Sequence, residues 1–514
     1  MNDHPVAVFG SPMHGRRCLL SAVVFVAACA VPLIAADAAP TAPAAVAADH
    51  ALALDLRGAL AMALQRNRAL RVQSYAPGIT TTGIDSAKAT FDPTVTATVA
   101  TGKGIDNTGV ATTSQTADAG LSQYLATGTT WGVDVSSTRT RSDLYSDATV
   151  VNRAGVSINQ ALLQGFGTDA NLASVRQAHI DADISRYELR GYTLDFVASV
   201  EEGYWAFALA VQQVDISELA LDIARQQRDQ IKEQIAVGKL ADIELAAAEA
   251  EVALRNQFVI EARGSRDGTR LTLLRLINPE GAHPLDRPLT LNDKPFVPDA
   301  ALDPVTVHID VAERLRADLN EAKLRVDRGD LQLVKTKNGL LPKLDLFANL
   351  GRSTYASSFG GAMREEGGRS WDGQVGLSFS YALGNRAADA SHRSAVLSRE
   401  QVAAALDNQR QLVEEDVRSA YITVLTTREQ VTASEATARA QAETARSERE
   451  KFRVGKSTSL LVAQAERDAF SSRINAAKAV VAHLTALIEL YRLDGSLLDR
   501  RGVQAPGAEP VAAR

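Results

Sequence analysis

The chain reads as an exported α+β membrane protein made of two copies of one unit, in which amphipathic strands are joined to very long helices. Three observations lead there. An export signal opens the chain, the hydrophobic period changes from 3.6 to 2 and then to a heptad seam, and that whole succession occurs twice. Composition points the same way: 514 residues with 46% hydrophobic but only 5% aromatic content leave few bulky side chains for globular cores. Small residues in closely packed helices are another way to hide apolar surface. The net charge of −6 argues against a general nucleic-acid binder.

Residues 1–38 have the form of a signal peptide. Arg16 and Arg17 precede a largely apolar run over 18–34, and Ala36-Asp37-Ala38 closes it with the small-x-small pattern of a cleavage site. Val26-Ala27-Ala28-Cys29 offers an alternative, a lipobox whose Cys29 would be acylated, although Val31, Leu33 and Ile34 continue the apolar run past it. Cys18 and Cys29 are the only cysteines, so the rest of the chain has no disulfide framework or thiolate metal site. Beyond residue 38 no stretch approaches the roughly 18 uncharged apolar residues of a membrane helix. A membrane span would have to be something other than an α-helix.

Two repeats, 39–277 and 306–497, flank a Pro-rich linker over 278–305, and a disordered tail is expected over 498–514. Asn67-Arg68-Ala69-Leu70 lies 249 residues before Arg316-Ala317-Asp318-Leu319, whereas Val237-Gly238-Lys239 lies 217 before Val454-Gly455-Lys456. The difference assigns about 32 extra residues to the first repeat, mostly around 121–139, where an additional hairpin or a long extracellular loop is expected. Each repeat opens with a helix, 56 to about 90 and about 311 to 338, the first kinked at Pro77-Gly78.

Strands follow. Val95, Ala97 and Val99 alternate with Thr94, Thr96 and Thr98, and Val156 and Ile158 with Ser157 and Asn159. In the second repeat Leu344, Leu346, Ala348 and Leu350 alternate with Lys343, Asp345, Phe347 and Asn349, and Val375, Leu377 and Phe379 with Gln374, Gly376 and Ser378. A soluble sandwich alternates in the same way. Export, segments of about ten residues and polar faces rich in Ser, Thr, Asn and Gly favour a membrane barrel. Four strands fall short of the eight or so that a barrel needs, so the chain must oligomerise.

The helices that come next are expected to be rods. Phe196, Val200, Gly203, Phe207, Ala210, Val214, Ser217, Leu221, Ala224, Arg228, Ile231 and Ile235 step alternately by four and three, and the positions 217 later repeat the seam in a smaller, more polar version from Val413 to Phe452. Each rod turns at its Val-Gly-Lys and returns as a second helix, 241–277 or 458–493.

Motifs that suggest chemistry fail on context. Gly165-Phe166-Gly167-Thr168-Asp169-Ala170 follows a strand and opens a helix, but a 70-residue rod replaces the short βαβ return that dinucleotide binding requires. Gly455-Lys456-Ser457 resembles the end of a P-loop, yet Glu450 stands where the first glycine belongs. The eight histidines show no ligand spacing and read as surface residues; the pairs Glu201-Glu202 and Glu414-Glu415 read as solvated helix faces. No catalytic residue, metal site or cofactor is expected.

The leader, the duplicated helix-strand-strand-helix-turn-helix plan and the glycine-turned rods together resemble the TolC family of outer-membrane efflux proteins. The resemblance is carried by Val156-Ser157-Ile158-Asn159-Gln160-Ala161-Leu162-Leu163-Gln164-Gly165-Phe166-Gly167, by Val454-Gly455-Lys456-Ser457-Thr458 with Val462-Ala463-Gln464-Ala465-Glu466-Arg467, and by Ala486-Leu487-Ile488-Glu489-Leu490-Tyr491-Arg492-Leu493-Asp494-Gly495. It implies a homotrimer in which each chain contributes four strands to a 12-stranded β-barrel in outer-membrane lipid, continuous with a periplasmic α-helical coiled-coil barrel. Such a channel is passive. An inner-membrane transporter and a periplasmic adaptor hand it drugs, metals or proteins.

The resemblance also implies that Val237, Gly238, Lys239, Leu240, Val454, Gly455, Lys456 and Ser457 form the tips that dock the adaptor. Where the best-known member of the family closes its tip with acids six and nine residues after the second tip glycine, this chain has Leu461 and Gln464; an acid stands six after the first glycine, as Glu244. A periplasmic gate resting more on apolar contact than on charge is expected. The family often has proline where Arg68, Ala161, Ala317 and Ala382 stand here. Two other classes are weighed: a periplasmic coiled-coil adaptor without its own channel, which would lack the amphipathic strands, and an exported hydrolase, which would need a nucleophile-base pair.

Overall fold

The computed structural model describes residues 52–511 apart from 106, 108, 282, 300 and 365–367. The expected signal peptide, its cleavage site and Cys29 lie outside the described residues. Strand β1 (Leu52–Leu54) leads into α1 (Leu56–Arg66), α2 (Arg68–Gln73) and α3 (Ala76–Lys88). The single kinked helix expected here is three helices. Asn67 ends α1 in extended conformation and caps α2 with its side chain, while Pro77 sits in the first turn of α3, where its missing N–H costs nothing.

Four strands follow: β2 (Thr94–Ile105), β3 (Ala111–Tyr124), β4 (Thr129–Ser142) and β5 (Thr149–Ala161). Then come α4 (Thr168–Asn171), the rod α5 (Ala173–Ala236) and its return α6 (Ile243–Ile277). Through β6 (Leu289–Leu291) the chain enters the second repeat: α7 (Val305–Leu315), α8 (Ala317–Gly339), β7 (Lys343–Ala356), α9 (Phe359–Met363), β8 (Arg369–Ser380), the rod α10 (Arg386–Arg453), its return α11 (Ser459–Leu493), and α12 (Leu497–Arg500).

The duplication survives in backbone detail. Asn67 and Arg316 break their helices at φ −64°, ψ 126° and φ −64°, ψ 121°. The linker is more ordered than its prolines suggest, because β6 pairs in parallel with β1. Asp293 then accepts hydrogen bonds from the Leu56 amide (2.9 Å) and the Tyr204 hydroxyl (3.0 Å), which straps the linker to the first repeat. Burial, reinforced by that carboxylate, pushes the Tyr204 hydroxyl well above its ordinary pKa.

One antiparallel sheet runs β2-β3-β4-β5-β7-β8. The four-strand expectation is therefore corrected to six, since the extra segment of the first repeat is a complete hairpin, β3–β4, laddered to β2 on one side and β5 on the other. Its residues are polar and small, so its alternation is faint in sequence, but its pairing keeps the two faces in register. Val95, Leu121, Val133, Val156 and Leu350 form one cross-strand row, and Thr96, Gly120, Asp134, Gly155, Gly351 and Asp372 form the row behind it. On the polar face Arg153 and Asp372 pair at 2.8 Å.

At about 1.5 Å per residue the 64- and 68-residue rods are about 100 Å long. The predicted seam is buried at Phe196, Val200, Phe207, Ala210, Val214, Ser217, Leu221, Ala224 and Ile231, and in the second rod at Val413, Val417, Ala420, Val424, Val431, Ala445 and Phe452. The main core forms a belt across the rods, where α5 residues Phe196 to Ala208 meet α1, the ends of α6 and α11, and Leu497 and Leu498. Helix α11 is long and apolar enough to pass as a membrane span. Its apolar residues Val481, Leu484 and Ile488 instead pack in this belt.

Three other expectations are corrected here. The tail is not disordered through its described residues: Leu498 is fully buried, Tyr187 donates to the Glu509 carbonyl, and the Val511 amide donates to Asn320. Glu201 is not on a solvated face. It is fully buried and paired with Arg501 of the tail at 2.8 Å. A charge removed from water needs a counter-charge, and the tail supplies it. Nor are all histidines at the surface, since His308 is buried against Asp494 (2.7 Å) and His483 against Thr427 (3.1 Å).

Candidate functional site: the paired helix tips

Both rods end in the same turn. Val237 and Val454 stand at φ −95° and −96°, and Gly238 and Gly455 both at φ +76°. The amide of Lys239 donates to the Gln234 carbonyl (2.8 Å) and that of Gly238 to Ile235 (2.9 Å); Lys456 donates to Lys451 (2.7 Å) and Gly455 to Phe452 (3.0 Å). This is the Schellman arrangement, which satisfies the last carbonyls of a helix and requires a left-handed residue, hence glycine. The returning helices start differently. Thr458 caps α11 by accepting from the Leu461 amide, whereas Asp242 makes no side-chain cap on α6.

The tips present apolar side chains to solvent: Val237 is 68% and Val454 59% exposed, with Ile243 and Leu460 beside them. Lys239 and Lys456 are exposed as well, while Leu240 packs inward on a small cluster of Ile231, Phe452 and Val462 that joins the two tips. Ser457 donates to Glu448 (2.6 Å), which also pairs with Lys451 (2.6 Å). The Lys451 contact, seconded by Ser457, holds the Glu448 carboxyl below its ordinary pKa.

Of the gate candidates, Glu244 is half-buried and accepts a hydrogen bond from Ser459 of the other tip. Leu461 and Gln464 are exposed on the first turns of α11. The structure thus joins Glu244 to the second hairpin and leaves Leu461 and Gln464 without such a tie.

A clamp that sequence reasoning missed lies two turns behind the tips. Glu251 on α6 accepts from Arg255 (2.8 Å) and from Arg467 on α11 (2.7 Å), and the Arg255 guanidinium lies 4.8 Å over the ring of Phe470, itself stacked on Phe258. Glu251 and Arg255 are both buried, and the Glu251 hydrogen bond pushes Arg467 above its ordinary pKa. The i,i+4 spacing of Glu251 and Arg255 was the available signal. It is common on helix surfaces, and only the packing of α6 on α11 makes it a buried bridge. Among the described residues no His, Cys, Asp and Glu cluster could hold a metal ion.

At the other end of the rods the sheet is tied to the helices through Asn171. Its side-chain amide donates to the carbonyls of Ala126 (3.0 Å), Gly165 (2.7 Å) and Gly167 (2.9 Å), and its oxygen accepts from the Tyr124 hydroxyl (2.9 Å). The glycines of the apparent dinucleotide motif thus shape a strand-to-helix turn, with Gly165 at φ +84° and Gly167 at φ +86°.

A two-ended molecule of this kind has known counterparts. The family model for outer membrane efflux proteins matches residues 59–279 and 309–496. Among solved structures, the CmeC outer membrane channel of Campylobacter jejuni superposes with a TM-score of 0.67 at 12% identity, over 89% of this chain and 87% of that one. The open-state MtrE outer membrane channel of Neisseria gonorrhoeae gives 0.62 at 19% identity, over 86% and 89%. The outer membrane protein VceC of Vibrio cholerae gives 0.64 at 12%, over 86% and 96%. At these identities the likeness is one of fold. No curated protein sequence matches the chain.

Proposed function

Because the chain belongs to the outer membrane efflux protein family, we propose that three copies form a passive export channel that receives its substrate from an inner-membrane transporter through a periplasmic adaptor. The protein resides in the outer membrane. The observation that carries the channel reading is the separation of surfaces along one elongated chain. A two-faced sheet suited to lipid and a wet lumen stands at one end, and twin exposed Val-Gly-Lys turns stand about 100 Å away at the other. Transport is driven by the pump, and the channel performs no chemistry on its cargo. The sheet argues against an adaptor without a channel.

The tips are assigned the adaptor contact, with Val237 and Val454 as exposed apolar anchors on a rigid turn and Lys239 and Lys456 beside them. Glu244, Leu461 and Gln464 are assigned to the periplasmic gate, in which apolar contact at Leu461 takes the place of carboxylates. Purifying the native complex tests the assembly. The intact channel should bring down an adaptor and a pump, and Val237→Asp/Val454→Asp should lose both while remaining oligomeric. Full recovery of the partners with that variant removes the docking role from the tips, and a protein that fractionates with soluble periplasmic contents removes the channel. The gate is tested by single-channel conductance: strong divalent-cation block from the periplasmic side that Glu244→Ala leaves unaltered would refute an apolar gate.

A further inference from the structure

We propose that the β3–β4 hairpin is a pair of extra staves in the barrel wall, so that a ring of three copies closes with eighteen strands instead of twelve, β8 of each copy pairing with β2 of the next. The proposal rests on the three-copy channel reading above and adds the number of strands, the mating edges and the width of the exit.

The sheet ends on β2 and β8, and among the described residues no further strand is laddered to the outer side of either. Neither edge is blunted by proline, a bulge or short length, and charge on them is confined to Lys103 on β2 and to Arg369 and Asp372 on β8. β2 is twelve residues long without a proline or a bulge in its pairing, and β8 is likewise twelve. Both keep their apolar residues in the open, with Val99 86% and Val375 75% exposed. Six strands cannot close on themselves, since about eight is the minimum. Because the number per chain is even and every pairing is antiparallel, β8 of one copy meets β2 of the next in antiparallel sense. A second copy of this chain therefore completes the ladder without a mismatch.

The hairpin is built into the wall. Its strands are bonded along both sides, from Ile105–Ala111 to Thr94–Ser122 against β2 and from Thr140–Thr149 to Thr129–Gln160 against β5. It continues the apolar row through Leu121 and Val133 and the polar row through Gly120 and Asp134. Its inner turn is pinned at the base of the sheet by Asn171, and Gly128 lies so close to that base that a Cβ there would sit 2.1 Å from the Gly165 carbonyl oxygen. A flap lying outside a twelve-stranded wall would have to break both ladders and this anchor. With strands about 4.8 Å apart and tilted about 40°, eighteen strands span about 36 Å between backbones, against about 24 Å for twelve. The exit is wide enough for cargo bulkier than a twelve-stranded wall passes.

Electron cryomicroscopy of the full chain, purified from outer membranes into nanodiscs, counts the strands. Eighteen, with residues 369–380 beside 94–105 of the neighbouring copy, is the expected result. A trimer with a twelve-stranded wall and the hairpin outside it overturns this proposal and leaves the channel reading standing. A ring of another size, or none, overturns the channel reading and this proposal with it. The second test removes 106–148 and joins β2 to β5, up-strand to down-strand, by a short Gly-Ser loop. The largest polyethylene glycol that enters the external mouth in bilayer recordings should shrink to about two-thirds of its former diameter or less, because the same side-chain lining narrows both walls. An unchanged cut-off in a correctly assembled variant refutes the proposal.

Discussion

Replacing Glu251 by Gln tests whether the clamp behind the tips is a buried ion pair or a surface ornament. The Arg255 side chain is 3% exposed and Glu251 10%, whereas Arg467 is 54% exposed. Two guanidinium nitrogens of Arg255 are already buried without a hydrogen-bond partner. Removing the Glu251 charge leaves a buried cation uncompensated, which costs about 3–5 kcal/mol. The stacking on Phe470 is present in both forms and cancels, while the Gln amide oxygen can still accept from Arg255, so the lower end is expected. Arg467→Gln removes a partner that water already screens, at about 0–1 kcal/mol. Hydrogen exchange of the 248–258 and 463–470 segments reads this as local opening. At about 1.4 kcal/mol per tenfold, Glu251→Gln should speed exchange about 100-fold and Arg467→Gln about fivefold or less. The apolar double replacement Glu251→Leu/Arg255→Met should return close to the parent, because no charge is then buried alone. Equal effects of the two single changes, or an unaltered rate in Glu251→Gln, would refute the reasoning.

Further expectations concern the tail, the glycines and pH. Arg501→Gln leaves Glu201 buried and unpaired and should lower stability by about 3–5 kcal/mol, seen as lost folded yield; an unaffected variant would restore the disordered-tail reading. Gly238→Ala and Gly455→Ala share one backbone geometry in open space, so each should cost about 1–2 kcal/mol and hasten proteolysis of its tip alike, whereas Gly128→Ala meets a backbone carbonyl and should disrupt the hairpin outright. Burial, and secondarily Arg428, lowers the pKa of His483 below its ordinary 6.5. The unfolded chain then takes up the proton first, so this contribution to stability is complete above the unfolded pKa and lost as pH falls towards the folded one. His483→Gln should flatten that part of the thermal midpoint profile between pH 7 and 5, and an unchanged slope would remove His483 as its source.

The duplication, both rods, the turn glycines and four of the strands were legible in sequence because each follows from a local rule: a period, a helix cap or a residue able to take positive φ. Seam positions such as Val200 and Val417 announced themselves by spacing alone. The hairpin was half legible, since its length showed in the 249-to-217 offset while Thr-, Ser- and Ala-rich strands gave no strong alternation. Glu201 and Arg501 were not legible at all, and Glu251 showed only the common i,i+4 spacing to Arg255. A charged residue on a helix is solvated by default, and only the element packed over it decides whether it is buried.

By itself the sequence determined the periodicities, the repeat and the places where the chain must turn, because these depend on near neighbours. The tertiary structure decided how many strands share the sheet, which charges leave water and what the tail does. Those outcomes depend on which distant segment covers which face: β3 between β2 and β4, α11 over Glu251, and Arg501 reaching back 300 residues to Glu201. No local pattern carries that information.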